Sequence, residues 1–191
     1  MSNNRHSMTG KIVMVTGATN GIGKATAEAL AQMGAVVIVV GRSRERIDAT
    51  VEGIRAQGGD ARAAVADLSR QADVRELAAL VLEKYDRLDV LVNNAGAIYD
   101  RFEESADGIE MTFALNHLNY FLLTSLLLPL VKDTAAQAGE ARIINVSSDA
   151  HQMARGGLKI DDLEFRRSYS GWLAYGHSKL ANILFTRELA Q

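Results

Sequence analysis

The amino-acid sequence predicts an α/β protein in three layers, a doubly wound parallel sheet with helices on both faces. Short apolar, β-rich runs recur along the chain, segments of helical period separate them, and a glycine-rich turn follows the first run. Strands covered on both faces read as near-continuous apolar runs, and strand–helix alternation with right-handed crossovers gives a parallel sheet. A sheet of this Rossmann type holds its ligand at the carboxyl ends of its strands.

The first strand is Lys11 to Thr16, "KIVMVT", and the turn "TGATNGIGKATAEAL" opens the first helix behind it. Gly34 closes that helix and the second strand runs from Ala35 to Val40. Ile47, Val51 and Ile54 mark the inner stripe of the second helix, and Gly58 and Gly59 stop it, where a left-handed C-terminal cap is commonly wanted. The third strand is Ala61 to Ala66, followed by a helix whose stripe is Val74, Leu77, Ala78, Val81 and Leu82. Leu88 to Val92 is the fourth strand, a long helical segment begins near Ala106, and Ala141 to Val146 is the fifth strand. The last helix carries Tyr175 and Lys179 on one face, and Leu173, Leu180, Ile183 and Leu184 are expected to form its buried side.

A length of 191 residues with 48% hydrophobic content suits one domain, here residues 10–191, behind a flexible tail over residues 1–9. The net charge of -2 and the lack of any Lys/Arg run point away from nucleic acid. There is no cysteine, so disulfides and thiolate metal sites are excluded. The N-terminus "MSNNRHSMTG" is polar and the most apolar run, "FLLTSLLLPLV", is too short to span a bilayer, so no membrane partner and a cytoplasmic protein are expected. His117, His151 and His177 lack the spacing of a recognised metal site, and none is assigned.

The turn after the first strand places Gly17, Thr19, Asn20, Gly21, Ile22 and Gly23 at a helix start, where backbone N–H groups and the helix dipole suit a pyrophosphate. Its spacing is G-x-x-x-G-x-G, and glycines there also serve an ordinary tight turn. The second strand ends in Gly41, Arg42 and Ser43, with no carboxylate to take a ribose 2′-hydroxyl. A guanidinium at that place binds a 2′-phosphate through charge-assisted bonds, which favours NADP(H) over NAD(H), unless Arg42 is merely a solvated loop cation. Asp67 and Leu68 follow the third strand beside the expected adenine edge, and "NNAG" follows the fourth, with Asn93, Ala95 and Gly96 as cofactor contacts. Four such signals at four strand ends support one another.

Tyr175 and Lys179 stand four residues apart on a helix, with Asn182 and Thr186 continuing the line. A tyrosine begins at a pKa of about 10, and working near neutrality takes about 4 kcal/mol of preference for the phenolate. A neighbouring ammonium, a cationic nicotinamide and an early-helix position act in that direction. Lys179 can also bond the cofactor ribose, Ser148 after the fifth strand can hold the substrate oxygen, and the Asn116 amide can anchor a relay water. On spacing alone most such Tyr–Lys pairs are solvated surface residues; the dinucleotide turn upstream favours the chemical reading.

With "TGATNGIG", "NNAG", Asn116, "NVSS" and "YGHSK" in order, the chain resembles the short-chain dehydrogenase/reductase family from about Lys11 to its last residue. "ALNHLNYFLLT", "INVSSDAH" and "HSKLANILFTREL" are similar to its retinol dehydrogenase and protochlorophyllide reductase branch, as is the separation of 27 residues between Ser148 and Tyr175. The resemblance implies a tetrad of Asn116, Ser148, Tyr175 and Lys179, Tyr175 being the acid/base, and interconversion of a small apolar carbonyl and alcohol. It also implies a homodimer or homotetramer paired through the helices of Asn116 and Tyr175. Asn119 and Tyr120 stand where the branch usually has a Gly-His pair. Family members continue with two further strands and a substrate lid, so a fold truncated after the Tyr175 helix is expected, with strand five a bare edge. A dinucleotide-binding module without catalysis, or an inactive fragment of a longer dehydrogenase, is the reading from a different class.

Overall fold

The computed structural model describes residues 7–191. The elements follow in the order β1 (Ile12–Thr16), α1 (Gly21–Gln32), β2 (Val36–Gly41), α2 (Arg44–Ala56), β3 (Asp60–Val65), α3 (Gln71–Lys84) and β4 (Val90–Asn93). Then come α4 (Met111–Phe113), a π-turn (Ala114–Leu118), α5 (Asn119–Ala138), β5 (Arg142–Asn145), two 3₁₀ turns (Asp149–Met153 and Ile160–Asp162) and α6 (Gly171–Leu189). All five expected strands are present, each displaced by a residue or two at its ends. The first six residues of the expected tail lie outside the described ones; Met8 is tied to the fold by its N–H, which donates to the Met33 carbonyl at 2.9 Å.

The strands form one parallel sheet in the order β3-β2-β1-β4-β5. The chain builds outward from β1 to β3, then returns to the other side of β1, so β1 and β4 flank the switch point where such sheets bind ligands. Register brings the carboxyl ends level, with Gly41 opposite Val65 and Asn93 opposite Asn145. β3 and β5 are the edge strands, and Ile144 on β5 is 46% exposed.

Side-chain alternation divides the core between the two sheet faces. Val13, Val15, Val37 and Val39 pack with Ala27 and Ala31 of α1 and with Ile47, Val51 and Ile54 of α2. Met14, Ile38 and Leu91 pack with Val74, Leu77, Ala78 and Val81 of α3 and with Leu123, Leu127 and Val131 of α5. Leu82, expected in the α3 stripe, stands outside it at 47% exposed, because its position has turned past the face that meets α5.

Caps fix where the helices begin. Ser43 Oγ accepts from the Arg46 N–H at the start of α2, and Asp107 Oδ2, from a distant loop, accepts from the Gln71 N–H at the start of α3. The long helical segment begins at Met111 rather than near Ala106, where the Glu110 carboxylate accepts from the Thr112 and Phe113 N–H groups. Met111–Ala138 runs on for 28 residues and includes an 18-residue stretch of mean hydropathy 1.4, long and apolar enough by length and composition to cross a membrane. The apolar run read by itself understated that length. In the fold its Leu123, Leu127 and Val131 lie buried against the sheet.

Candidate active site

At the switch point, Thr16 Oγ1 donates to the Val92 carbonyl (3.2 Å) and accepts from the Asn94 and Ala95 N–H groups (2.8 and 3.1 Å). Asn94 Nδ2 donates back to the Thr16 carbonyl at 2.8 Å, so the ends of β1 and β4 are sewn together. Against this seam the turn leaves no room for side chains. A Cβ at Gly23 would stand 2.3 Å from the Gly17 carbonyl oxygen and 2.4 Å from Asn94 Nδ2, and Gly17 has a left-handed φ of 64°. Asn20 caps α1 by accepting from the Gly21 N–H, while Ile22 is 71% exposed at the mouth. The α1 amides beyond Gly21 thus lie beside Gly17 and Gly23, where no Cβ crowds the approach, an arrangement that suits a dinucleotide pyrophosphate.

Arg42 is exposed at the end of β2, and its guanidinium partly offsets the burial that pushes the Tyr99 hydroxyl up. Tyr99, from the loop after β4, is a residue the sequence did not single out. Asp67 Oδ1 accepts from the Ser69 N–H and hydroxyl (3.0 and 2.7 Å), so part of this carboxylate caps its own turn. Two expected contacts change role. Leu68 is 5% exposed and belongs to the core, so its side chain packs inward. Asn93 is fully buried with its amide donating to Thr124 Oγ1 (3.0 Å) and Asn145 Oδ1 (2.8 Å), so its side chain ties β4 to α5 and β5 instead of meeting a cofactor.

At the reacting end, Lys179 is 3% exposed and its Nζ donates to the Val146 carbonyl at 3.0 Å. The ammonium lies 5.5 Å from the Tyr175 ring centroid and 5.8 Å from that of Tyr120, and burial pulls its pKa down to about 8. Ser147 Oγ donates to the Lys179 carbonyl at 2.9 Å, joining the end of β5 to α6. Ser148 Oγ caps the following 3₁₀ turn by accepting from Ala150 N–H at 3.2 Å. Asn116 is fully buried with both ends of its amide engaged: Oδ1 accepts from Ala97 N–H (2.9 Å), and Nδ2 donates to Ala97 O (2.9 Å) and Ser178 Oγ (3.1 Å). The amide expected to anchor a water therefore clamps the loop after β4. A Cβ on Gly96 in that loop would stand 3.0 Å from Asn116 Oδ1 and 3.6 Å from Lys179 Nζ, and the adjacent Ala95 lies against Gly17, so this loop runs between the glycine turn and Lys179.

The faces of α6 reverse the expectation. Gly171, Ala174, Gly176, His177, Ser178, Lys179, Ala181 and Asn182 are the buried positions, whereas Leu184 is 43% exposed and Leu173, Leu180 and Ile183 are partly exposed. The polar line faces inward because it finds partners in the Val146 and Asn116 carbonyls, which satisfy groups that would otherwise be costly to bury. His177 sits edge-on to Phe165 at 4.8 Å, and burial followed by the Lys159 charge lowers its pKa. Among the described residues no group of His, Asp and Glu side chains is placed to hold a metal ion. Glu110, 1% exposed, accepts from Tyr169 Oη at 2.9 Å, and that hydroxyl also contacts the Tyr99 carbonyl; long-range pairs of this kind carry no sequence period.

The model of a family described as short chain dehydrogenase matches residues 11–160. Human retinol dehydrogenase 11 is 44% identical over 184 residues, covering 95% of this chain and 56% of the relative. Human retinol dehydrogenase 13 is 43% identical over 185 residues, covering 95% and 54%. The chain thus spans little more than half the length of these relatives. Among solved structures, an uncharacterised protein from Mycobacterium paratuberculosis superposes with a TM-score of 0.81 at 38% identity, over 96% of this chain and 62% of the other. The Pseudomonas aeruginosa RhlG/NADP active-site complex superposes with a TM-score of 0.78 at 35% identity, over 97% and 68%.

Proposed function

The chain belongs to the short-chain dehydrogenase family, and from that premise we propose that it is an NADP(H)-dependent oxidoreductase interconverting an apolar carbonyl and its alcohol. The observation that carries the proposal is the Lys179 ammonium, buried between the Tyr175 and Tyr120 rings and close to Gly96 at the mouth of the glycine cradle. A nicotinamide dinucleotide, when bound, supplies or accepts the hydride. Gly17, Gly21 and Gly23 leave room for its pyrophosphate, and Arg42 offers the charge for a 2′-phosphate. As the substrate carbonyl is reduced, Tyr175 gives its proton to the developing alkoxide; in the oxidative direction it takes the proton back. Lys179 stabilises the phenolate so formed, and Ser148 holds the substrate oxygen against Tyr175.

Exposed apolar side chains stand on and against the start of α6. Trp172, 57% exposed, meets the Tyr175 ring edge-on at 6.3 Å, and Met153 is 42% exposed. That character and the names of the retinol dehydrogenase relatives support an apolar alcohol of the retinol type as substrate class. Incubated with NADPH and a panel of apolar aldehydes and ketones, the protein should consume NADPH, followed by its absorbance. Tyr175→Phe should not, and equal rates for the two proteins would remove Tyr175 from the chemistry.

A further inference from the structure

The π-turn that carries Asn116 is held by a side chain from α6. Within Ala114–Leu118 the Asn119 N–H reaches back to the Ala114 carbonyl, one residue further than in an α-helix, so the turn is wide and needs support. Asn182, fully buried and three residues beyond Lys179, supplies it. Its Nδ2 donates to the Asn116 main-chain carbonyl at 2.8 Å, and its Oδ1 lies 2.9 Å from His117 Nδ1. With Nδ2 committed to a carbonyl, Oδ1 must accept, so the His117 ring carries its proton on Nδ1. Protonation of His117 leaves that donor in place, so the link survives a change of charge on the ring.

Asn116 then passes the constraint on. Its amide clamps both the N–H and the carbonyl of Ala97, next to Gly96. The geometry points to Asn182 as a positioning residue, whose carboxamide sets the π-turn so that Asn116 holds the Gly96–Ala97 loop in register with Lys179. An apolar side chain of the same size would fill the space but take its side-chain partner from the Asn116 carbonyl and from the partly buried His117 Nδ1–H.

Three measurements on the full chain test this. In the unaltered protein, nitrogen NMR of His117 should find Nδ1–H in the neutral ring; an Nε2–H tautomer would remove the contact on which the inference stands. In Asn182→Leu, hydrogen exchange at the Ala97 amide should accelerate about tenfold or more while Leu91 in β4 keeps its protection, because only the clamp is loosened. Unchanged exchange at Ala97 in a folded variant would reduce Asn182 to packing. The kinetic arm rests on the oxidoreductase reading: kcat should fall about tenfold or more with the KM for NADPH little changed, since misplacement affects the reacting geometry before binding. If the unaltered chain turns nothing over, that reading fails, while the exchange arm still decides the role of Asn182. If Asn182→Leu does not fold, the tautomer measurement decides.

Discussion

Gly23→Ala probes the cradle where the geometry is least forgiving. The added methyl would stand 2.3 Å from the Gly17 carbonyl oxygen, 2.4 Å from Asn94 Nδ2 and 2.9 Å from the Gly17 carbonyl carbon. Two of those atoms are backbone, so relief takes a retreat of about 1 Å by the turn or by the first turn of α1. Such overpacking costs about 1–3 kcal/mol, and losing the Asn94 bond to Thr16 adds about 1 kcal/mol. Urea denaturation should therefore show the variant about 2–4 kcal/mol less stable than the parent. The same retreat carries the α1 amides away from the pyrophosphate, so calorimetric affinity for NADPH should fall about tenfold or more in protein that is still folded. A folded Gly23→Ala protein with parental affinity would refute the assignment of this turn as the cradle.

Further outcomes follow from the reacting end and the outer helices. Tyr175→Phe should lower kcat by about 10²–10⁴-fold while NADPH affinity stays within about twofold, measured by turnover and titration. The pKa of Lys179 is lowered in the fold, so the unfolded chain binds more protons between about pH 8 and 10.5 and stability contributed by this residue rises with pH across that window. Lys179→Met should flatten that rise in denaturation curves, and an identical pH dependence in both proteins would contradict the buried ammonium. Phe121 (50% exposed, 5.4 Å from Phe185) and Leu184 (43% exposed) offer α5 and α6 for pairing, so light scattering should report two or four times the 20.7 kDa chain mass, and Phe121→Glu should lower it. A monomer in both cases would dismiss the pairing.

What was legible in the sequence was local. The β1 and β2 runs are apolar because both sheet faces are covered, and Gly17 and Gly23 of the turn announce themselves because a Cβ there would collide within a few residues or across one seam. Ser148, Tyr175 and Lys179 fall just after β5 and on one face of α6, as their spacing required. The burial of α6 was not legible, because hydrophobicity assigns leucines inward, whereas this helix buries Lys179 and Asn182 against carbonyls supplied by β5 and the π-turn. Position at a strand end likewise does not say which way a side chain turns, and those of Asn93 and Leu68 turn into the fold. The Asn182–Asn116 and Glu110–Tyr169 contacts join residues 66 and 59 positions apart, and no periodicity signals such pairs.

The proposed preference for NADP(H) rests on Arg42 meeting a 2′-phosphate at the end of β2. Calorimetric titration of the 191-residue chain and of Arg42→Ala with NADPH and NADH tests it most directly. The parent should bind NADPH more tightly than NADH, and the variant should lose about 10–100-fold for NADPH alone, the worth of charge-assisted bonds to one phosphate. Equal affinity for the two cofactors, or equal losses on removing Arg42, would contradict it.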